Sequence, residues 1–138
     1  MTNTELVKSR LKDARQFLEY AEDALRREIY HHTVQFAQRA AELAVKALVA
    51  NEAAEVPQAH DLAKLASNLE SVRGLPTETQ SRFYECNRKL AKERIVSTYG
   101  AEDGTPPDKI FDKPQAEEAL EQGKFVLNTV ESLVKTEE

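Results

Sequence analysis

Residues 30–52 read YHHTVQFAQRAAELAVKALVANE, and this stretch decides the fold. Val34, Phe36, Ala37, Ala40, Ala41, Leu43, Ala44, Val45, Ala47, Leu48 and Val49 surround most of the circumference of a helix. Gln35, Gln38, Glu42 and Lys46 form its narrow polar stripe. A helix apolar on so many sides has to be covered on more than one of them. It is therefore the centre of a bundle, or one of its sides meets a second protomer.

The flanking segments supply the cover. Over residues 3–28, Val7, Leu11, Ala14, Leu18, Ala21 and Leu25 recur at alternating steps of four and three, which makes one apolar stripe. Lys8, Lys12, Arg15, Glu19, Glu22 and Arg26 take the other side. Asp61 is an N-cap for a shorter helix over 61–73, with Leu62, Leu65, Ala66, Leu69 and Val72 on its buried face and Gly74 at its end. Thr77 opens a fourth helix, with Gln80 three residues on as in a capping box and Phe83, Cys86, Leu90 and Ser97 along one face. It stops near Tyr99-Gly100, and a loop of about 13 residues follows, longer than most connections in a compact domain. The last helix, over 114–135, has Pro114 in its first turn and turns Ala116, Ala119, Leu120, Gly123, Val126, Leu127, Val130 and Leu133 inwards. With 18 Ala, 14 Leu, 18 Glu and only 4 Gly and 5 Pro, the chain reads as helix throughout. The expected fold is all-α: an up-and-down bundle of four helices with one additional short helix, in a single domain over 1–138.

Composition narrows the function classes. The chain has 138 residues, 24 acidic and 19 basic, for a net charge of -5, which argues against a non-specific coat for duplex DNA. Its single cysteine, Cys86, excludes an internal disulfide and fits a reducing compartment. The opening MTNTELVKSR lacks the apolar core of a signal peptide, and no apolar run reaches the roughly 18 residues of a membrane span, so a cytoplasmic protein is expected.

Familiar catalytic spacings are absent: there is no Gly-rich phosphate loop, HExxH, CxxC or GxSxG. No cofactor and no metal are implied. His31 and His32 are adjacent, so on a helix they point about 100° apart and do not grip one ion together. His60 beside Asp61 reads as a capping and packing pair, and Cys86 as a core residue with an elevated pKa. Arg94 stands apart, because Phe83, Leu90 and Arg94 fall within about 20° of one line along the fourth helix. A guanidinium there requires a partner. Either it pairs with Glu42 or another bundle carboxylate, or it snorkels at the helix end, or it contacts an anion, most naturally phosphate. Tyr99, five residues on at the lip of the long loop, can add a hydroxyl bond or a stacking face for a base.

These residues resemble a known family, the HEPN domains (higher eukaryotes and prokaryotes nucleotide-binding). Gln35 to Leu48 is similar to the family's QxxQAAExALKAL signature, and His60-Asp61-Leu62 resembles its (T)HDL start of helix three, with Ala59 in place of the Thr. RIVSTYGAEDGTPPDKIF, residues 94–111, resembles the late family segment in which an Arg and a Tyr precede a Pro-containing loop and an Ala-rich last helix. The resemblance extends over about residues 5–135. It implies a compact helical bundle, commonly a homodimer pairing through the motif helices, and often a partnership with a minimal nucleotidyltransferase in a toxin–antitoxin-like pair. Many members are metal-independent ribonucleases with an Rx4-6H motif, whose Arg binds the scissile phosphate and whose His assists proton transfer from the 2'-hydroxyl. Here Arg94 matches the Arg, but Tyr99 stands where the His belongs, and no His follows residue 60. A phenol, with a pKa near 10, is a poor general base at neutral pH.

The expectation is a module that binds a nucleotide or nucleic-acid phosphate through Arg94 and Tyr99, with Glu42 and Lys46 as secondary polar positions. The alternatives are a metal-independent endoribonuclease with Arg94 and Tyr99 acting across a dimer, and a purely structural interaction bundle.

Overall fold

The structure, a computed structural model, describes residues 2–52 and 62–134. Among them run six α-helices and one 3-10 turn: α1 (Asn3–Arg26), α2 (Tyr30–Glu52), α3 (Leu62–Ser67), α4 (Glu70–Arg73), α5 (Thr77–Tyr99), the 3-10 turn Pro107–Lys109, and α6 (Lys113–Leu133). The four long helices form the bundle, and α2 packs against α1, α5 and α6 as well as α3. Its small residues make this geometry available. Ala37, Ala40, Ala44 and Ala47, spaced by three and four residues, are fully buried in one strip along the helix, so a neighbouring backbone can come close there. Opposite them on α6, a Cβ added to Gly123 would lie 3.1 Å from the Ala37 carbonyl oxygen and 3.2 Å from Leu18 Cδ2.

The inward faces follow the hydrophobic periods. On α1 the stripe Val7, Leu11, Ala14, Leu18 and Ala21 is buried; Ala24 joins it, while Leu25 is half-buried against the core. On α6 every expected residue from Ala116 to Val130 is buried, and Leu133 is half-buried. Asp112 starts α6 with a reciprocal capping box, its carboxylate accepting from the Gln115 N–H at 2.9 Å while Gln115 Oε1 accepts from the Asp112 N–H at 2.9 Å.

Two expectations need correction. The helix expected over 61–73 is two short helices, because the side chains of Ser67 and Asn68 both donate to the Lys64 carbonyl, at 2.8 and 3.1 Å, and end α3. The chain then restarts at Leu69, which offers no side-chain cap; Glu52 at the end of α2 accepts instead from the Ser71 N–H at 3.1 Å and from the Ser71 hydroxyl. Asp61, the expected N-cap, and His60 lie outside the described residues. At α5 the cap is one residue earlier than Thr77. Pro76 holds that position, and a proline has no N–H to complete a capping box, so Gln80 Nε2 turns back to the carbonyls of Leu75 (2.7 Å) and Arg73 (3.0 Å).

The α1–α2 corner is tight. The Ile29 N–H donates to the Ala24 carbonyl at 2.9 Å and the Glu28 N–H to Leu25 at 3.0 Å, the paired bonds of a Schellman end. The residue that must adopt the left-handed conformation there is usually glycine, but here it is Glu28, with φ 61°. The left-handed region costs a residue with a Cβ about 1–2 kcal/mol, whereas glycine gives part of that back through its freer unfolded chain. Glu28→Gly is therefore expected to stabilise the protein by roughly 0.5–1 kcal/mol, read as a higher midpoint in chemical denaturation; a lower midpoint would contradict this account of the corner.

Candidate functional site

The polar stripe of α2 does not point at solvent uniformly; its central part is a network. Gln38, itself buried, donates from Nε2 to Glu42 Oε1 at 3.1 Å, and Lys46 Nζ donates to Glu42 Oε2 at 3.1 Å. Spacing by one helical turn on either side brings both donors to the same carboxylate. Burial alone would push the Glu42 carboxyl up, but the two hydrogen bonds and the charges of Lys46 and Arg94 outweigh it and hold the group below the usual carboxylate range. Further along the stripe Gln35 Nε2 donates to Thr98 Oγ1 on α5 at 3.3 Å, and the Thr98 hydroxyl donates to the Arg94 carbonyl at 3.0 Å. Glu42, Lys46, Arg94 and Thr98 thus meet along the seam between α2 and α5.

Arg94 does not lie against the core as its line with Phe83 and Leu90 suggests. Its residue is exposed, and among the described residues it makes no ion pair within 4 Å. The reason is the neighbour and not the angle: at this level of the bundle α5 runs beside the polar stripe of α2, so the line that buries Phe83 and Leu90 brings Arg94 to a polar seam. Glu42, one of the carboxylates that could pair with it, is already bonded to Gln38 and Lys46 and feels Arg94 only through its charge. Tyr99 is 80% exposed at the end of α5. Five residues separate it from Arg94, about 140° around the helix, so the two side chains leave α5 from different faces. Thr98, four residues on, is the one that shares the Arg94 side. Ile95, one turn before Tyr99, is 65% exposed.

Cys86 is buried, and burial pushes its thiol up. The His31 and His32 rings lie 4.3 Å apart at the start of α2; burial and then the neighbouring His32 lower the His31 pKa, with Asp108 opposing. No group of three or more metal-ligating side chains occurs among the described residues.

The long loop after α5 is stitched down. Gly100, with φ 91°, leaves the helix where any Cβ would collide with the Thr105 carbonyl. Asp103 Oδ1 accepts from the Thr105 N–H at 3.0 Å and its hydroxyl at 2.7 Å, and Phe111 is buried in the core. Sequence reasoning missed two features: the Gln35–Thr98 bridge, which depends on which helices meet, and a row of aromatic rings linking α1 to α2. The i, i+4 spacing of His32 and Phe36 and the i, i+3 spacing of Phe17 and Tyr20 are the only signals of that row in the sequence.

With the fold and the seam in place, the sequence model of the HEPN domain matches residues 7–133. The chain belongs to the HEPN family. A crystal structure of a protein from Thermus thermophilus is similar at TM-score 0.78 and 26% identity, over 92% of this chain and 97% of that one. The crystal structure of an archaeal HEPN homologue is similar at TM-score 0.73 and 25% identity, over 94% of this chain and 98% of that one. No curated protein matches the chain. Among the described residues, no helix of this HEPN protein is long and apolar enough to cross a membrane.

The Glu42 network carries a pH dependence. A carboxyl whose pKa is lower in the folded than in the unfolded chain, where it is about 4.3, contributes stability that is present above that value and is lost as pH falls through the folded pKa. Glu42→Gln should therefore flatten the decline in stability below about pH 5, measured by denaturation over a pH series; an unchanged slope would mean that Glu42 is not held in its charged form.

Proposed function

We propose that this HEPN protein is a binding module for the phosphate of a nucleotide or RNA, working with a nucleotidyltransferase partner as one half of a toxin–antitoxin-like pair and without efficient catalysis. The observation that carries the reading is Arg94: an exposed guanidinium with no ion pair among the described residues, held beside a carboxylate whose hydrogen bonds go to other side chains. Arginine offers a planar fork of donors that matches two phosphate oxygens, and one left without a carboxylate partner is free to use it. Lys46 adds a second positive charge along the seam, and Glu42 fixes it in place. Tyr99 exposes its ring at the lip of the loop, on a different face of α5 from Arg94. A phenol at the position of the motif histidine leaves no efficient proton acceptor there, which supports binding over cleavage.

The structural alternative, a buried Arg94 that holds the bundle together, finds no support in an exposed residue. Arg94→Ala is accordingly expected to change stability by no more than about 0.5 kcal/mol while lowering affinity for a short RNA at least tenfold in a titration at fixed salt. Unchanged affinity would remove the reading. Cleavage of mixed RNA in EDTA that disappears in Arg94→Ala would replace it with the endoribonuclease.

The exposed apolar pair Ile95 and Tyr99, one turn apart on α5, supports pairing of two copies. Light scattering at micromolar concentration is then expected to give twice the chain mass of 15.6 kDa, and Ile95→Asp to return it to the single value. A monomer in the unmodified protein would rule the dimer out.

A further inference from the structure

A cleft of about 310 Å³ opens between α5 and α6, and Arg94 is not among its walls. Its floor is apolar: Val34 of α2, Ala119 of α6 and Phe111 at the end of the long loop line it, and all three are buried. Its rim is charged, with Lys89, Lys92 and Glu93 from α5 and Glu118 from α6. Lys89 and Glu93 are one turn apart, the spacing at which a helical ion pair forms. Lys89 instead reaches across to Glu118, 3.9 Å away, and Glu118 also accepts from Gln122 Nε2 at 3.3 Å. Glu93 is left half-buried, with no ion pair or hydrogen bond among the described residues. Burial pushes its carboxyl up. Lys92 has no ion pair among the described residues either. Adjacent residues leave a helix about 100° apart, so Lys92 and Glu93 do not satisfy one another.

We propose that this cleft binds a small zwitterion with an aliphatic body, the chemistry of a free amino acid such as leucine. The cleft carries one unmatched charge of each sign, Glu93 and Lys92, above an apolar floor. A ligand with a single charge answers only one of them. An ammonium group only donates and a carboxylate only accepts, so the ligand's ammonium goes to Glu93 and its carboxylate to Lys92. The ammonium end matters most, because a half-buried carboxylate has given up water that no described residue replaces. Lys92 is exposed on a flexible stem and can fold over a carboxylate at the mouth. The aliphatic chain between them lies on Val34, Ala119 and Phe111 and leaves water as it does so. Phe111 and the start of α6 are held in place by the Asp112–Gln115 capping box, so these walls exist before any ligand arrives. The Lys89–Glu118 pair is long and exposed, and it yields to a ligand at little cost. The volume is at the lower end of small-molecule sites, which suits one amino acid better than a nucleotide.

The site uses neither Arg94 nor RNA, so it and the phosphate-binding reading can fail separately. The test is an amide NMR titration of the full chain with leucine, with isoamylamine, which lacks only the carboxylate of leucine, and with isocaproate, which lacks only its ammonium. Leucine is expected to bind at least about tenfold more tightly than either analogue, with shifts centred on Glu93, Phe111 and Ala119. Glycine, which has both charges and no aliphatic body, should bind more weakly than leucine. Glu93→Gln keeps the shape of the side chain and removes its charge, so leucine should then bind no more tightly than isocaproate. In Lys92→Gln it should bind no more tightly than isoamylamine. The amide spectrum away from the cleft checks that each variant folds, and the analogue series decides the question on the unmodified protein. Leucine that binds no better than its analogues or than glycine, or that keeps its affinity in Glu93→Gln, would overturn the proposal. So would the absence of any shift at millimolar leucine, or shifts confined to other faces of the bundle.

Discussion

Burial of α2 on nearly all sides is the constraint from which the other parts of this molecule follow. A neighbouring helix can come close to a central one only where the side chains between them take little room, and alanine at 37, 40, 44 and 47 meets that condition along one side of α2. Larger residues at Leu48, Val45 and Val49 then fill the remaining volume, so the density of the interior is kept without strain. The same closeness dictates Gly123 on α6, where a backbone carbonyl of α2 occupies the space a side chain would need. Because α2 is held so closely, the few polar residues it carries occupy fixed positions along the seam with α5.

That rigidity has an electrostatic consequence. A half-buried carboxylate is stable only with hydrogen-bond donors around it, and Glu42 draws both of its donors from its own helix, one turn on each side. The arrangement is local and therefore independent of α5. Arg94, although near enough to depress the Glu42 pKa, is not needed to compensate it. A guanidinium with no ion pair among the described residues is what an anion-binding role requires, and in this HEPN protein Lys46 holds the carboxylate that it would otherwise meet.

Much of this was legible from residue order. The inward faces of α1, α2 and α6 follow from their apolar periods, and the core position of Cys86 follows from its distance to Phe83. The failures have local causes with a common character. At Ser67-Asn68 two short polar side chains capture one carbonyl, and at Pro76, which has no N–H for a capping box, Gln80 turns back to the carbonyls of Arg73 and Leu75; both are side-chain bonds to the backbone that helical spacing does not register. Arg94 is a different kind of miss. Its angle on α5 agrees with the sequence, yet the surface that angle meets is the polar edge of another helix.

The sequence by itself determined that the chain forms helices, which faces they bury, and that the helix over 30–52 lies at the centre, because hydrophobic periodicity and propensity are properties of neighbours along the chain. The tertiary structure alone decided that Arg94 lies beside Glu42 yet makes no ion pair among the described residues, and that four rings from two helices meet in one row. Those facts depend on which helices meet and at what height, and that is set by the packing of whole helices, which no single stretch of residues contains.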